Sequence, residues 1–375
     1  MKVFVTGSKG FVGKNLCVGL SRRDDVELFG FDMDSPAGDL DKALGEADII
    51  YHLAGVNRPQ NLDEFEIGNA GFTREICDRL ATQGRSPKIV LSSSIQVSLG
   101  NPYGLSKNGA EEAVGNYCQK TGAVGVVYRL KNLFGKWCRP NYNSVTATFC
   151  HNIARNLPIQ ISNPANVVDL TYIDDVVAAF LEELDGVGRE PGGFRIAAPL
   201  PSRQITLGEL AALIRSFHDH RKTLILPDFS NQFIQGLYAT YISYLEPKNF
   251  GYFLDKKQDN RGALAEFIKS PTSGQIFISS TKPGITRGNH YHNTKCEKFL
   301  VMEGEAVIRL RAIASREVVE FKVQGDEFRV VDIPPGYAHT ITNIGNCELI
   351  TLFWVSQVFD KDHPDTYSFE VEMQS

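Results

Sequence analysis

The chain has no CxxC pair, no block of basic residues and no apolar run of 18 residues, and each absence removes a class of protein. Its seven cysteines, at positions 17, 77, 118, 138, 150, 296 and 347, follow no regular spacing. That is not a disulfide framework; it predicts reduced, partly buried thiols and a cytoplasmic protein. Without a long apolar run, no membrane span is expected. The first residues enter an apolar run directly, so no signal peptide is expected. Formal net charge is −5 with both signs mixed along the chain, which argues against nucleic acid as a partner. What is present is a soluble globular composition, 42% hydrophobic and 22% charged, in 375 residues, long enough for two domains.

The organising stretch lies at the start, Val3-Phe-Val-Thr-Gly-Ser-Lys-Gly-Phe-Val-Gly13. Val3 to Val5 reads as a buried strand, and Phe11 to Leu20 as a helix. Between them, Gly7 allows a tight turn, Gly10 lets the backbone approach a pyrophosphate, and Gly13 allows close helix–strand packing. This is a dinucleotide phosphate cradle with GxxGxxG spacing. Val26 to Phe31 reads as the second strand and is followed by Asp32, a carboxylate placed to hold the adenosine ribose hydroxyls.

Asp48-Ile-Ile-Tyr-His-Leu-Ala-Gly55 reads as a strand closing on small residues that let the backbone come near a cofactor. Asn69 to Leu80 is a helical stretch. Lys88-Ile-Val-Leu-Ser-Ser-Ser94 is a strand with three hydroxyls at its carboxyl end, the edge that carries ligands in an open α/β sheet. Strand and helix signals alternate, so a mostly parallel sheet covered on both faces is expected. Tyr103 and Lys107 then stand four apart, on one face of a helix if Tyr103 lies in its first turn. An ammonium beside a phenol eases proton transfer near neutral pH.

These pieces together resemble the extended short-chain dehydrogenases/reductases that modify nucleotide sugars. The likeness is carried by Gly7, Gly10 and Gly13, Asp32, His52-Leu-Ala-Gly55, Asn69, Ser92-Ser-Ser94, Tyr103-xxx-Lys107, Arg129-Leu-Lys-Asn-Leu-Phe-Gly135 and Tyr172-Ile-Asp-Asp-Val176. It implies a Rossmann-like α/β domain over residues 1–248, with a substrate subdomain. It also implies catalysis by Ser94 (Ser93 in reserve), Tyr103 and Lys107. The implied cofactor site is Gly7, Lys9, Gly10, Phe11, Val12, Gly13, Asp32, Leu53, Ala54, Gly55, Asn69, Tyr103 and Lys107. Asn132 matches a substrate-contacting position, and Arg139, His151 and Arg155 are looser candidates for diphosphate contacts. Asp32 favours NAD, whereas Lys9 and Arg22-Arg23 could offset a 2′-phosphate, and a dedicated reductase commonly uses NADPH. The family's Tyr-Gly pair between the serines and Tyr103 is missing, and Ser93-Ser94 stand where 4,6-dehydratases place an Asp-Glu pair, which argues against that branch.

Thr206 to Asp219 and Phe233 to Leu245 read as further helices, and Pro247 to Gly251 breaks the pattern. From about 253 the texture turns to short alternating strands with glycine turns, an antiparallel sandwich or barrel. His290 and His292 alternate on a strand and face one side, and Glu297 and His339 can converge on them. Three imidazoles and a carboxylate suit Zn, Fe, Mn or Ni. The spacing GxxxxxHxHxxxxEx6G followed by PxGxxHxxxN resembles the cupins, implying an all-β jelly-roll barrel over 253–375. Asp259-Asn-Arg-Gly262, Glu266 and Arg287-Gly288-Asn-His290 also resemble nucleotide-sugar 3,5-epimerases, in which the matching histidine is a base. His290 cannot easily be both base and ligand, which leaves Tyr291, Lys295 and Glu266 as weak alternatives for the base.

The whole chain resembles the bifunctional capsular-polysaccharide enzymes on the UDP-N-acetyl-L-fucosamine pathway. The resemblance implies that the cupin domain epimerises C3 of a UDP-2-acetamido-2,6-dideoxy-4-hexulose. The N-terminal domain would then reduce C4 with NADPH (NAD is the lesser expectation) to the L-talo sugar. Zn2+ or another divalent metal, a UDP-linked 4-keto-6-deoxy amino sugar as substrate and a homodimer are also expected. Two rivals stay open: a reductase whose cupin only binds or dimerises, and an N-terminal epimerase that retains NAD.

Overall fold

The structure is a computed structural model that describes residues 1–188 and 191–372. It divides into two compact units, Met1–Arg215 with Gln232–Glu246, and Ser216–Asn231 with Pro247–Ser375.

The N-terminal unit is built on six parallel strands: β1 (Lys2–Thr6), β2 (Glu27–Phe31), β3 (Ile49–His52), β4 (Lys88–Ser94), β5 (Val124–Leu130) and β8 (Gly193–Ile196). Their order is β2-β1-β3-β4-β5-β8, the arrangement of a Rossmann sheet. Val3, Phe4, Val5, Ile49, Ile50, Tyr51 and Val90 are essentially inaccessible. Such unbroken apolar strands require helices on both faces. One face packs on α2 (Ala37–Glu46), α4 (Phe72–Thr82) and α5 (Pro102–Thr121), burying Leu44, Ile76, Leu80 and Val114. The other packs on α1 (Phe11–Leu20) and α7 (Ile173–Glu182), burying Leu16, Leu20, Val176 and Phe180.

The short α3 (Asp63–Phe65) runs through a π-helical turn, Glu66–Gly71, into α4. A small mixed sheet of β6 (Asn132–Phe134), β7 (Val167–Tyr172) and β9 (Arg203–Thr206) accompanies α6 (Val145–Ala154), α8 (Leu207–Thr223) and α9 (Gln232–Ser243). Leu224 and Leu226 pair through their backbones with Lys269, which ties the stretch after α8 to the C-terminal unit.

That unit is all-β. One antiparallel sheet has the order β10-β11-β12-β19-β14-β17 and the other β16-β15-β18-β13-β20. Their ranges are β10 (Lys256–Asp259), β11 (Gly262–Ser270), β12 (Gly274–Thr281), β13 (Thr286–Tyr291), β14 (Glu297–Glu303), β15 (Glu305–Ala312), β16 (Val318–Gln324), β17 (Val330–Ile333), β18 (Tyr337–Asn343), β19 (Leu349–Val355) and β20 (Tyr367–Ser368). Both sheets feed one core: Phe299, Val301, Leu349 and Phe353 from the first, Ile308, Leu310, Val323 and Ile341 from the second. Among the described residues no helix is long and apolar enough to cross a membrane.

Candidate active site and metal centre

In the N-terminal sheet the strand order reverses at β1, so the crevice beyond β1 and β3 is the place where this architecture binds ligands. Gly7 follows β1 with φ +67°, and a side chain there would strike the Leu53–Ala54 backbone. At Gly13 a Cβ would stand 2.1 Å from the Gly7 carbonyl oxygen. The loop and the first turn of α1 therefore need glycine to lie this close. α1 begins without a capping side chain, which leaves the Phe11 end of the helix suited to an anion. Asp32 lies just beyond β2 and accepts the Lys9 and Met33 N–H groups, both at 2.9 Å. The Lys9 ammonium pairs with Asp34 at 2.5 Å. Arg22 and Arg23 do not join this group. α1 carries the chain back to the opposite edge of the sheet, where Arg23 pairs with Asp25 at 2.9 Å and Asp185 at 3.6 Å.

Helix α5 starts at Pro102, with the Asn101 side chain accepting the Gly104 N–H at 2.7 Å, so Tyr103 does lie in the first turn. Its ring packs 5.5 Å from Phe65. Burial raises the phenol's pKa, and the nearby Ser94 side chain opposes the rise. Ser93 is taken up elsewhere: its hydroxyl donates to buried Glu111 at 2.6 Å, and Arg129 grips the same carboxylate at 2.7 Å. Lys107 is buried, with its ammonium 5.9 Å from the Tyr103 ring centre, and donates to the Ser92 carbonyl at 3.1 Å. Burial pushes it down to about 8 against the pull of Glu111. Asn69 sits in the π-helical turn, clamps Val56 through both backbone groups at 2.9 Å and donates to Ser106. Such turns are frequent at functional sites. A Cβ on Gly55 would come 3.1 Å from the Lys107 nitrogen, so the crevice, Asn69 and Lys107 share one wall.

An open hollow of about 580 Å³ is lined by Asn132, Tyr142, Asn143, Thr148, Gln160 and Arg58, among others. Arg139 lies 4.9 Å over the Tyr142 ring. Arg155 is not at the hollow; it donates to the Tyr244 carbonyl at 2.9 Å and faces Glu246. His151 does not line it either. Arg58 was not anticipated from the sequence, because only the fold brings the loop after β3 to the mouth of α6.

In the all-β unit, His290 on β13, His292 just after it, Glu297 opening β14 and His339 on β18 offer ligand atoms that all lie within 4.8 Å of one another. His290 and His339 are direct cross-strand partners. A bulge at Asn289 (φ +57°) re-aims the strand at this point. Glu297 and His339 approach to 3.0 Å, yet the Glu297 Oε2 has no hydrogen bond, and neither has the His292 Nε2. Buried polar atoms left this way call for a missing partner, and a shared cation satisfies both. Burial alone would raise the Glu297 carboxyl; the two imidazoles outweigh it and hold it at about 2. His290 is pushed down to about 4 by burial and His339, so it is neutral and free to ligate at pH 7. Tyr291 points the other way, stacked 5.3 Å from Tyr367. Lys295 donates to the Pro364 carbonyl, and Glu266 pairs with Lys269 at 3.0 Å.

The N-terminal unit is thus a Rossmann-like short-chain dehydrogenase/reductase fold with a tyrosine–lysine–serine cluster, and the second unit is an all-β domain with a candidate metal centre. The model of the NAD dependent epimerase/dehydratase family matches residues 3–196, and that of the polysaccharide biosynthesis C-terminal domain matches 257–367. A Pseudomonas aeruginosa protein, UDP-2-acetamido-2,6-beta-L-arabino-hexul-4-ose reductase, is 41% identical over 99% of both chains. The crystal structure of the capsular polysaccharide assembling protein CapF from Staphylococcus aureus is 44% identical, with a TM-score of 0.91, covering 99% of this chain and 100% of that one. The NAD complex of UDP-glucuronic acid 4-epimerase from Bacillus cereus shares the fold at 19% identity and a TM-score of 0.55, over 65% of this chain and 98% of that one. The chain belongs to the CapF family of bifunctional enzymes of UDP-amino-sugar and capsular-polysaccharide biosynthesis.

Proposed function

We propose that the chain converts a UDP-2-acetamido-2,6-dideoxy-4-hexulose to UDP-2-acetamido-2,6-dideoxy-L-talose, with C3 epimerised in the C-terminal domain and C4 reduced in the N-terminal one. The domains run over 1–248 and 253–375, the second as a cupin barrel, with the stretch 216–231 of the first packed on the second unit. The observation that carries the reduction is the Ser94–Tyr103–Lys107 cluster beside a glycine crevice that any added side chain would fill.

Gly7 to Gly13, Asp32, Leu53 to Gly55 and Asn69 would hold NADPH, which would supply the hydride. Tyr103 gives its proton to the carbonyl oxygen as negative charge develops there, and Ser94 donates the second hydrogen bond to the same oxygen. Lys107 holds positive charge behind the phenol and positions the ribose. Asn132 and the hollow around Tyr142 hold the nucleotide end of the sugar.

In the second domain His290, His292, Glu297 and His339 would hold Zn2+ or another divalent ion, which would supply Lewis-acid polarisation of the ketone. The residues fit such an ion through their orphaned donor atoms. A specific observation favours a second reading, in which this domain is a metal-stabilised binding module. His290 is committed to the cluster, and Tyr291, Lys295 and Glu266 are all engaged away from it.

Full-length protein incubated with the 4-keto sugar in D2O without NADPH separates the two. Exchange of the C3 proton, seen by NMR, supports epimerisation, and its absence in metal-replete protein leaves the reductase reading. Tyr103→Phe is expected to abolish NADPH oxidation, by a factor on the order of 100 to 10,000, while leaving exchange intact.

A further inference from the structure

We propose that Asp365, in the C-terminal tail, is the positioning residue of the four-ligand centre: one residue fixes the tautomer of His292 and clamps the loop that joins His292 to Glu297. The inference rests on the metal reading above and deepens it.

Two of the four ligands stand at the ends of one short loop. His292 follows β13 and Glu297 opens β14, so the conformation of 293–296 sets whether both reach the same point. The N–H groups of Asn293, Thr294 and Lys295 are consecutive and converge. All three end on the Asp365 carboxylate, at 3.0, 3.0 and 3.1 Å, and the Thr294 hydroxyl adds a fourth hydrogen bond at 2.8 Å. A carboxylate that collects four donors holds a loop far more firmly than single contacts would.

The same residue acts a second time through its main chain. Its carbonyl oxygen lies 2.5 Å from the His292 Nδ1. A carbonyl only accepts, so that ring nitrogen must carry the proton. In the neutral imidazole this leaves the lone pair on Nε2, the atom that faces Glu297 and is otherwise without a partner. Pointing a side chain and a carbonyl at two ends of one loop demands an unusual backbone, and Asp365 has φ +41°, rare for a residue other than glycine. Surrounding contacts maintain it. Lys295 bonds back to the Pro364 carbonyl, and beyond Asp365 the tail bonds to the bulge that bears His290, with Phe369 N–H on the Asn289 carbonyl at 2.9 Å and Val371 N–H on its side chain at 3.2 Å. Strained backbone over-determined in this way marks positions where geometry is being imposed.

The test uses the full chain, freed of metal, with Zn2+ titrated against a chromophoric chelator and Co2+ as a spectroscopic probe. Asp365→Ala is expected to weaken Zn2+ binding about 10- to 100-fold, as loss of an outer-shell partner does, and to change the intensity of the Co2+ visible bands. Both variants keep the main-chain carbonyl; Asp365→Asn also keeps one acceptor oxygen for the loop, and its affinity is expected to fall between wild type and Asp365→Ala. Should Asp365→Ala not fold, Asp365→Asn decides by the same criterion. Wild-type Zn2+ affinity and Co2+ spectrum in the variant overturn this inference alone, even if its metal-free form melts lower. Failure of the wild-type chain to bind either ion overturns the metal reading and this inference with it.

Discussion

The same substitution, Gly→Ala, is expected to have opposite signs at two helical glycines of the N-terminal unit. At Gly13 the new Cβ would lie 2.1 Å from the Gly7 oxygen, 2.8 Å from the Ser8 Cα and 2.9 Å from the Gly7 carbon, all backbone atoms that no rotamer change can move. Relieving the first contact requires α1 and the glycine loop to part by about 1 Å. Overpacking of that kind costs about 1–3 kcal/mol. For a domain of this size it lowers the melting temperature by about 2–4 °C per kcal/mol. The same shift moves the helix start away from the pyrophosphate. Loss of one hydrogen bond to a charged group, worth about 1.5–3 kcal/mol, raises the Kd for NADPH about 10- to 100-fold. At Gly38, in the first turn of α2, an added Cβ meets nothing within 4 Å. Alanine there is expected to stabilise by about 0.5–1 kcal/mol, because glycine loses more backbone entropy on forming a helix. Differential scanning fluorimetry and a fluorescence titration with NADPH read both effects. A Gly13→Ala protein that binds NADPH with wild-type affinity and melts at the wild-type temperature would refute the packing argument.

Lys107→Met is expected to be inactive as a reductase yet more stable than wild type at neutral pH. Burial depresses the folded-state value from 10.5 to about 8, so the charged form is penalised in the folded protein below pH 8. The penalty, about 3 kcal/mol, fades as pH rises from about 8 towards 10.5, where the unfolded chain still holds the proton and the folded one does not. The stability advantage of the variant should shrink over that window, and an advantage independent of pH would contradict the assignment. In the metal-free protein, Glu297→Gln is expected to lower the melting temperature at neutral pH, because the carboxylate that His292 and His339 hold at about 2 stabilises the fold in its charged form. It should also abolish the rise that Zn2+ gives, which thermal melts with and without the ion would show.

Much of the chemistry was legible because it is local. Glycines three apart, a tyrosine four residues before a lysine and two histidines two apart on a strand lie within one turn, one helix face or one strand, where spacing dictates direction. The alternation of strands and helices foretold the parallel sheet, and the buried runs of β1, β3 and β4 show why it must be covered on both sides. Where the reading failed, contacts distant in sequence decided. Arg22 and Arg23 follow the glycine loop closely along the chain, but a ten-residue helix places them at the far edge of the sheet. Arg155, a looser candidate for a diphosphate contact, is engaged by the Tyr244 carbonyl just beyond α9.

The sequence by itself determined the two kinds of fold, the glycine turn, the Tyr103–Lys107 pair and the His290–His292 pair, since each follows from residue type and short-range periodicity. Tertiary structure alone decided which serine faces Tyr103. Ser93 and Ser94 are adjacent, and the pleat of β4 sends one to Glu111 and Arg129 and the other to the phenol. It also decided that Asp365 meets the four-donor cluster, because the 67 residues between Glu297 and Asp365 carry no periodic signal linking them, and only the packing of the tail against β13 closes the distance.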